Sequence, residues 1–156
     1  MFLPAADGGV VANFSTDETQ LVTSLAGQVG ALIAGRVQGS ADPAIARLFP
    51  SVYPDDADAD AEFRRFTESE LAARKVRNAE TVISTLGDGT SVQLTALEAL
   101  DWLQALTDIR LTLAARLGIE KDDDVGNFSS EEDYMMRDVY DWLGYVQESL
   151  VRAVDA

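Results

Sequence analysis

The 156-residue chain contains no cysteine and no histidine. Within these residues, that absence excludes disulfides, thiolate chemistry, Cys/His zinc sites and acid–base catalysis by imidazole. Positive charge is also scarce, since 12 lysines and arginines stand against 27 aspartates and glutamates, for a formal net charge of −15. Such a charge opposes contact with nucleic acid and with anionic membranes, whereas a basic partner is compatible with it.

Long hydrophobic runs are missing as well. No stretch approaches the ~18 apolar residues of a membrane span, and the first residues lack the basic and apolar regions of a signal peptide. These observations predict a cytoplasmic protein that does not enter a membrane. With 47 % hydrophobic and 25 % charged residues, residues 1–156 have the composition of a single folded domain.

The hydrophobic periodicity predicts an all-α protein. We expect a bundle of four main helices at 16–38, 68–86, 96–117 and 131–154, each opened by a capping box. The helix at 96–117 is apolar around most of its circumference, which predicts that it is the centre of the bundle. The four boxes are Ser15 with Glu18, Thr67 with Glu70, Thr95 with Glu98, and Ser129 with Glu132.

One or two short helices and a small β-ribbon complete the predicted fold. Asp42-Pro43 begins a short helix that Pro50 ends, and a second short helix follows an acidic loop at 50–60. Residues 10–14 and 91–94 have β-strand character, and we expect them to pair as an antiparallel ribbon near the N-terminus.

Three large side chains are expected in the core. Trp102 and Trp142 fall on or beside apolar stripes and are predicted to be mostly buried. Met135 is predicted to begin the apolar stripe of the last helix.

Arg110 is the most informative residue of the central helix, because it lies on the same face as Leu103, Leu106 and Leu113. A guanidinium cannot be neutralised by losing its proton, so a buried one needs a carboxylate or a bound anion. One interpretation is a structural ion pair with a neighbouring helix, for which Glu18 is a candidate partner. The other is an anion-binding site or polar switch inside the bundle.

Lys75 is the second charged residue in an apolar setting, between Leu71 and Val82. A lysine can extend its ammonium to the rim of a core, which would explain the position without a ligand. If Lys75 and Arg110 converged, they would form a basic pocket in an otherwise acidic protein.

Five of the twelve basic residues lie close together in sequence and form the basic patch: Arg64, Arg65, Arg74, Lys75 and Arg77. The patch could contact nucleic acid or an acidic protein. It lacks a recognised DNA-binding signature and lies in a negative field, so we expect its members to pair with the acidic run at 55–62 instead.

No motif predicts an enzyme, a metal site or a cofactor. Alternating aspartates at 56–60 and at 122–124 suggest calcium, but neither loop has the EF-hand glycine at its sixth position or the glutamate at its twelfth. A phosphate-binding glycine loop and a nucleophile elbow are also missing.

Seven short runs spread along the chain carry a resemblance: FP at 49–50, YPD at 53–55, FRR at 63–65, DWL at 101–103, DIRL at 108–111, RLGI at 116–119 and YDWL at 140–143. Together they resemble an uncharacterised actinobacterial family, a domain of unknown function, over nearly the whole chain. The resemblance implies that Asp108, Arg110 and Trp142 matter, and it implies a link to proteolysis, because members are often encoded beside the ClpS-type adaptor of the Clp protease and a JAMM-type metalloprotease. Thr107 departs from the family pattern, in which asparagine is usual.

The sequence therefore predicts a non-enzymatic cytoplasmic interaction protein with an accessory or regulatory role, linked to Clp-type proteolysis by resemblance alone. A protein partner is expected, and a homodimer is compatible with the sequence. The alternatives are a transcriptional regulator that contacts nucleic acid through the basic patch, and a sensor of a small anion at Arg110 and Lys75.

Overall fold

A computed structural model describes residues 1–37, 39–121, 124, 126 and 128–156. Over these residues the chain forms a helical bundle with a small antiparallel sheet, which confirms the predicted fold class. None of the described helices is long and apolar enough to cross a membrane. The helices are α1 (Thr16–Ala34), α2 (Pro43–Leu48), α3 (Ala57–Leu86), α4 (Ala96–Leu117) and α5 (Glu131–Asp155), and the strands are β1 (Leu3–Pro4), β2 (Val10–Asn13) and β3 (Ser91–Leu94).

The central helix α4 has the predicted bounds. Its first turn is closed by the reciprocal hydrogen bonds of Thr95 and Glu98, and Gly118 ends it in the left-handed conformation at φ 70°. Helices α1, α2, α3 and α5 all contact it. Every charged side chain of α4 therefore has to reach solvent or a partner between neighbouring helices.

The sheet packs beside the bundle and pairs the N-terminal strands with a strand from the middle of the chain. Strand β2 pairs with β3 as predicted, with Val10 opposite Leu94 and Asn13 opposite Ser91. The sequence did not predict β1, which adds a third strand on the other side of β2. With only two residues, β1 is too short to give a periodic signal.

An aromatic cluster connects the sheet to α4. The indole of Trp102 is fully buried between the rings of Phe2 and Phe14, with centroid distances of 5.5 and 6.0 Å. Its Nε1 donates a hydrogen bond to Thr85 Oγ1 at 2.8 Å. Trp142 contacts the cluster through Phe14 and packs against the core with a minor part of its surface exposed, so both tryptophans are mostly buried, as predicted.

Helix α3 differs most from the prediction. It is one continuous helix of 30 residues from Ala57, rather than an acidic loop, a short helix and a second helix capped at Thr67. Asp56 is its N-cap, and the acidic residues that follow favour the positive end of the helix dipole. Thr67 sits inside the helix, where its hydroxyl donates to the Phe63 carbonyl oxygen. The predicted break was wrong because the segment contains neither glycine nor proline.

Three smaller expectations were also wrong. Helix α1 ends at Ala34 with Gly35 as its C-cap, and the predicted end at Gln38 lies outside the described residues. Helix α5 has Ser130, not Ser129, as its N-cap. Met135 is exposed, and the neighbouring Met136 packs against the core, because the apolar stripe is displaced by one position at this end of α5.

Candidate functional site

Lys75 pairs with Asp108 between α3 and α4. Its Nζ donates to Asp108 Oδ1 at 2.7 Å, and the two side chains are 16 % and 5 % exposed. Burial raises the pKa of Asp108 above its ordinary value, while the hydrogen bond and the charge of Lys75 act against that rise. Lys75 therefore occupies a structural position as the partner of a buried carboxylate, which the rim interpretation did not include.

This pair belongs to a row of polar contacts that runs along the α3–α4 contact. Two further pairs are Asn78 with Gln104 at 2.8 Å and Thr81 with Asp101 at 3.0 Å. The polar face of the central helix thus packs against α3. Because buried polar groups are costly when unpartnered, these matched pairs fix the register of the two helices.

Arg110 lies on the other side of α4, against α5. Its Cζ is 4.3 Å from the centroid of the Tyr140 ring, which is a cation–π distance. One turn further along α5, Gly144 leaves room for the guanidinium, because a Cβ at that position would lie 3.0 Å from Arg110 Nη2. We call Tyr140 and Gly144 the cradle of Arg110.

The cradle provides no hydrogen-bond acceptor for the guanidinium. Arg110 Nε is buried without a hydrogen-bond partner, and within the described part of the chain no carboxylate lies within 4.0 Å of Arg110. The expected ion pair with a neighbouring helix is therefore wrong for the described residues. Glu18, the proposed partner, instead closes the capping box of α1 by accepting from Ser15 N at 2.8 Å.

Arg110 opens onto a cleft of about 330 Å³ between α2, α4, α5 and the segment that follows α4. Two more cations line it, Arg47 from α2 and Lys121, together with a single described carboxylate, Glu120. Arg47 Nη1 donates to the carbonyl oxygen of Ile119, which ties the end of α2 to this segment. We call this space the Arg110 cleft.

Lys75 and Arg110 do not form the basic pocket considered from the sequence, since Lys75 pairs with Asp108 on the α3 side and does not line the Arg110 cleft. Arg47 and Lys121 were missed by sequence reasoning. Arg47 lies far from Arg110 in sequence and Lys121 lies beyond the end of α4, and only the packing of α2 and of the chain after α4 brings them together.

The basic patch is largely neutralised in the structure. Arg64 Nε donates to Asp60 at 3.0 Å, its Nη1 to Glu68 at 3.4 Å and its Nη2 to a backbone carbonyl. Arg65 lies 3.8 Å from Glu62, with both side chains mostly exposed. The expected pairing with the acidic run is thus confirmed for these two arginines, while Arg74 and Arg77 are exposed on α3.

The aspartates of the first acidic segment, at 56–60, form hydrogen bonds with groups that lie close to them in sequence. Asp56 caps α3, and Asp60 accepts from the backbone of Val52 and Tyr53. The hydrogen bond from Arg64, above all, holds the pKa of Asp60 below its ordinary value. In the second acidic segment, which contains the aspartates at 122–124, Asp124 accepts hydrogen bonds from the backbone N–H groups of Glu120 and Lys121. Asp122, Asp123 and Asn127 lie outside the described residues.

The fold and the cleft define a helical domain whose distinctive site is a cation without a carboxylate partner in the described chain. Residues 2–154 match the family described as a domain of unknown function, DUF2017, and the chain belongs to this family. That membership confirms the part of the resemblance that concerns a domain of unknown function.

Curated relatives of the chain carry regulatory names. It is 30 % identical over 154 residues to the putative oxidative stress regulator AosR of Mycobacterium leprae, covering 90 % of this chain and 68 % of that protein. It is 30 % identical over 141 residues to the oxidative stress regulator AosR of Mycobacterium tuberculosis, covering 80 % of this chain and 63 % of that protein. The chain thus spans about two thirds of these relatives. No solved structure matches it.

Proposed function

We propose that the chain is a non-enzymatic regulatory protein that acts in the response to oxidative stress by binding a partner protein. The observation that carries this proposal is its 30 % identity, over 80 to 90 % of its length, to proteins named as oxidative stress regulators. The family match spans residues 2–154, so the proposal applies to the helical domain as a whole rather than to one part of it.

The chemistry of the chain supports binding rather than catalysis. Without cysteine, the 156 residues cannot respond to an oxidant by forming a disulfide or a sulfenic acid. Burial raises the pKa of Asp108, a change that is common in catalytic acids. Asp108, however, pairs with Lys75 between two helices and does not line the Arg110 cleft. A regulator built in this way would transmit its signal through what it binds.

Contact with nucleic acid through the basic patch is the weaker alternative. Arg64 and Arg65 pair with carboxylates and Lys75 pairs with Asp108. Arg74 and Arg77 are exposed and, within the described chain, form no ion pair with a carboxylate. Retention on DNA at low salt that falls steeply as salt rises would support this alternative, and failure to bind at low salt would exclude it.

The link to Clp-type proteolysis, the cytoplasmic location and a homodimer stay predictions from the sequence. A native pull-down tests the first of them directly. Stoichiometric recovery of Clp components would favour an adaptor role, whereas recovery of the transcription machinery would favour direct control of transcription.

A deletion strain of the host organism, challenged with hydrogen peroxide, tests the proposal. We expect lower survival and a weaker transcriptional response than in the parent strain, with both restored by the wild-type gene. A matched control gene carries Lys75→Met, which should destabilise the fold and fail to restore the response. A deletion strain indistinguishable from its parent under peroxide would contradict the proposed role.

A further inference from the structure

We propose that the Arg110 cleft is a binding site for a small oxyanion, such as the phosphate, sulfate or carboxylate group of a small molecule. This inference is independent of the proposed regulatory function, since it rests on the cleft alone. Its starting point is the guanidinium of Arg110, which carries five N–H donors and needs an anion or acceptors when it is removed from water.

The structure holds this guanidinium in a fixed place without satisfying it. The Tyr140 ring lies 4.3 Å from Cζ, and the glycine at 144 admits the group against α5. Neither contact supplies a hydrogen-bond acceptor to Nε, which is buried and has no partner. Arg110 lines the cleft, so its Nη groups are the donors that an oxyanion there could reach, and such an anion accepts two parallel hydrogen bonds from a planar guanidinium.

Two further cations make the cleft attractive to an anion. Arg47 and Lys121 line it beside Arg110, against the single described carboxylate of Glu120. Arg47 is oriented by a neutral carbonyl, that of Ile119, so this contact leaves its charge uncompensated. Such a cluster is unexpected on a chain of net charge −15, where cations elsewhere, including Lys75, Arg64 and Arg116, pair with carboxylates.

The size of the cleft indicates the class of ligand. A volume of about 330 Å³ lies at the lower end of the range for small-molecule sites. It admits a small phosphorylated or carboxylated metabolite. The apolar walls formed by Leu111, Ala114 and Ile119 would contact the non-charged part of such a molecule.

The experiment uses the whole chain labelled with ¹⁵N and follows the Nε–Hε resonance of Arg110 by NMR. Inorganic phosphate, sulfate and acetate are titrated separately at constant ionic strength, with chloride as the reference salt. We expect a saturable shift of this resonance, and the order of the three affinities distinguishes a phosphate or sulfate ligand from a carboxylate ligand. A resonance that does not move with any of the three anions would overturn the proposal.

Two variants separate a site from general attraction of ions. Lys121→Gln removes an exposed cation of the cleft and should weaken binding at least fivefold without affecting folding, whereas the matched control Arg74→Gln on α3 should leave it unchanged. Gly144→Ala should displace the Arg110 guanidinium and weaken binding at least tenfold. Equal weakening by Lys121→Gln and Arg74→Gln would show that only net charge matters and would also overturn the proposal.

Discussion

Asp108 and Arg110 lie two positions apart on α4, yet their charged groups point to different neighbouring helices. Asp108 receives a hydrogen bond from Lys75 of α3 at 2.7 Å, whereas Arg110 lies over the Tyr140 ring of α5 at 4.3 Å. Two residues apart on an α-helix means a separation of about 200° around its axis. On the α3 side of the central helix, Lys75 therefore balances the charge of Asp108. On the α5 side, no described carboxylate balances the charge of Arg110.

The pair formed by Lys75 and Asp108 should be essential for stability. Replacing Lys75 with Met leaves the Asp108 carboxylate buried without its partner, and we expect the free energy of unfolding to fall by about 3 kcal/mol. Urea unfolding measures this change. As a control, Arg152→Met removes an exposed partner of Glu148 and should cost less than about 1 kcal/mol. Equal effects of the two substitutions would contradict the structural role of Lys75.

The pKa of Asp108 provides a second test of the same pair. Burial raises this pKa, so the folded state binds the proton more tightly than the unfolded state does. The contribution of Asp108 to stability is therefore largest below the unfolded pKa of about 3.9 and declines as the pH rises through the folded pKa. Carboxyl ¹³C NMR should find the Asp108 midpoint above the ordinary value, and Lys75→Met should raise it further. A midpoint below the ordinary value would mean that Lys75 outweighs burial.

Because the chain has no cysteine, its methionines are the side chains that peroxide would oxidise most readily. Met135 is 68 % exposed, whereas the adjacent Met136 packs against the core. We expect hydrogen peroxide to convert Met135 to its sulfoxide before Met136, as followed by peptide mass spectrometry. Met135→Leu should then leave Met136 as slow to oxidise as before. Faster oxidation of Met136 would contradict the orientation of the first turns of α5.

The sequence predicted the bundle because its strongest signals are local. The capping boxes at Ser15 and Thr95, the glycine at 118 and the β-strand character of 10–14 and 91–94 all depend on residues within or beside the elements that they define. The errors arose where two local signals competed. At Thr67 a capping pattern suggested a helix start, but an uninterrupted helix satisfies more backbone hydrogen bonds than a break would.

The site could be predicted only in part. The position of Arg110 among leucines indicated a cation in an apolar setting, and Arg110 is half-buried, but the sequence did not show which groups would surround it. The cradle depends on Gly144, and the cleft on Arg47 from α2, and neither relationship leaves a periodic or spacing signal in the sequence. The pairing of Lys75 with Asp108 likewise depends on the register of α3 against α4.

The most direct measurement is the stability of Arg110→Met beside that of Lys75→Met, both by urea unfolding at neutral pH. Because no described carboxylate pairs with Arg110, its replacement strands no charge and removes mainly the contact with Tyr140. We predict that Arg110→Met changes the free energy of unfolding by no more than about 1 kcal/mol. A loss as large as that of Lys75→Met, about 3 kcal/mol, would contradict the account, because Arg110 would then be half of a buried ion pair.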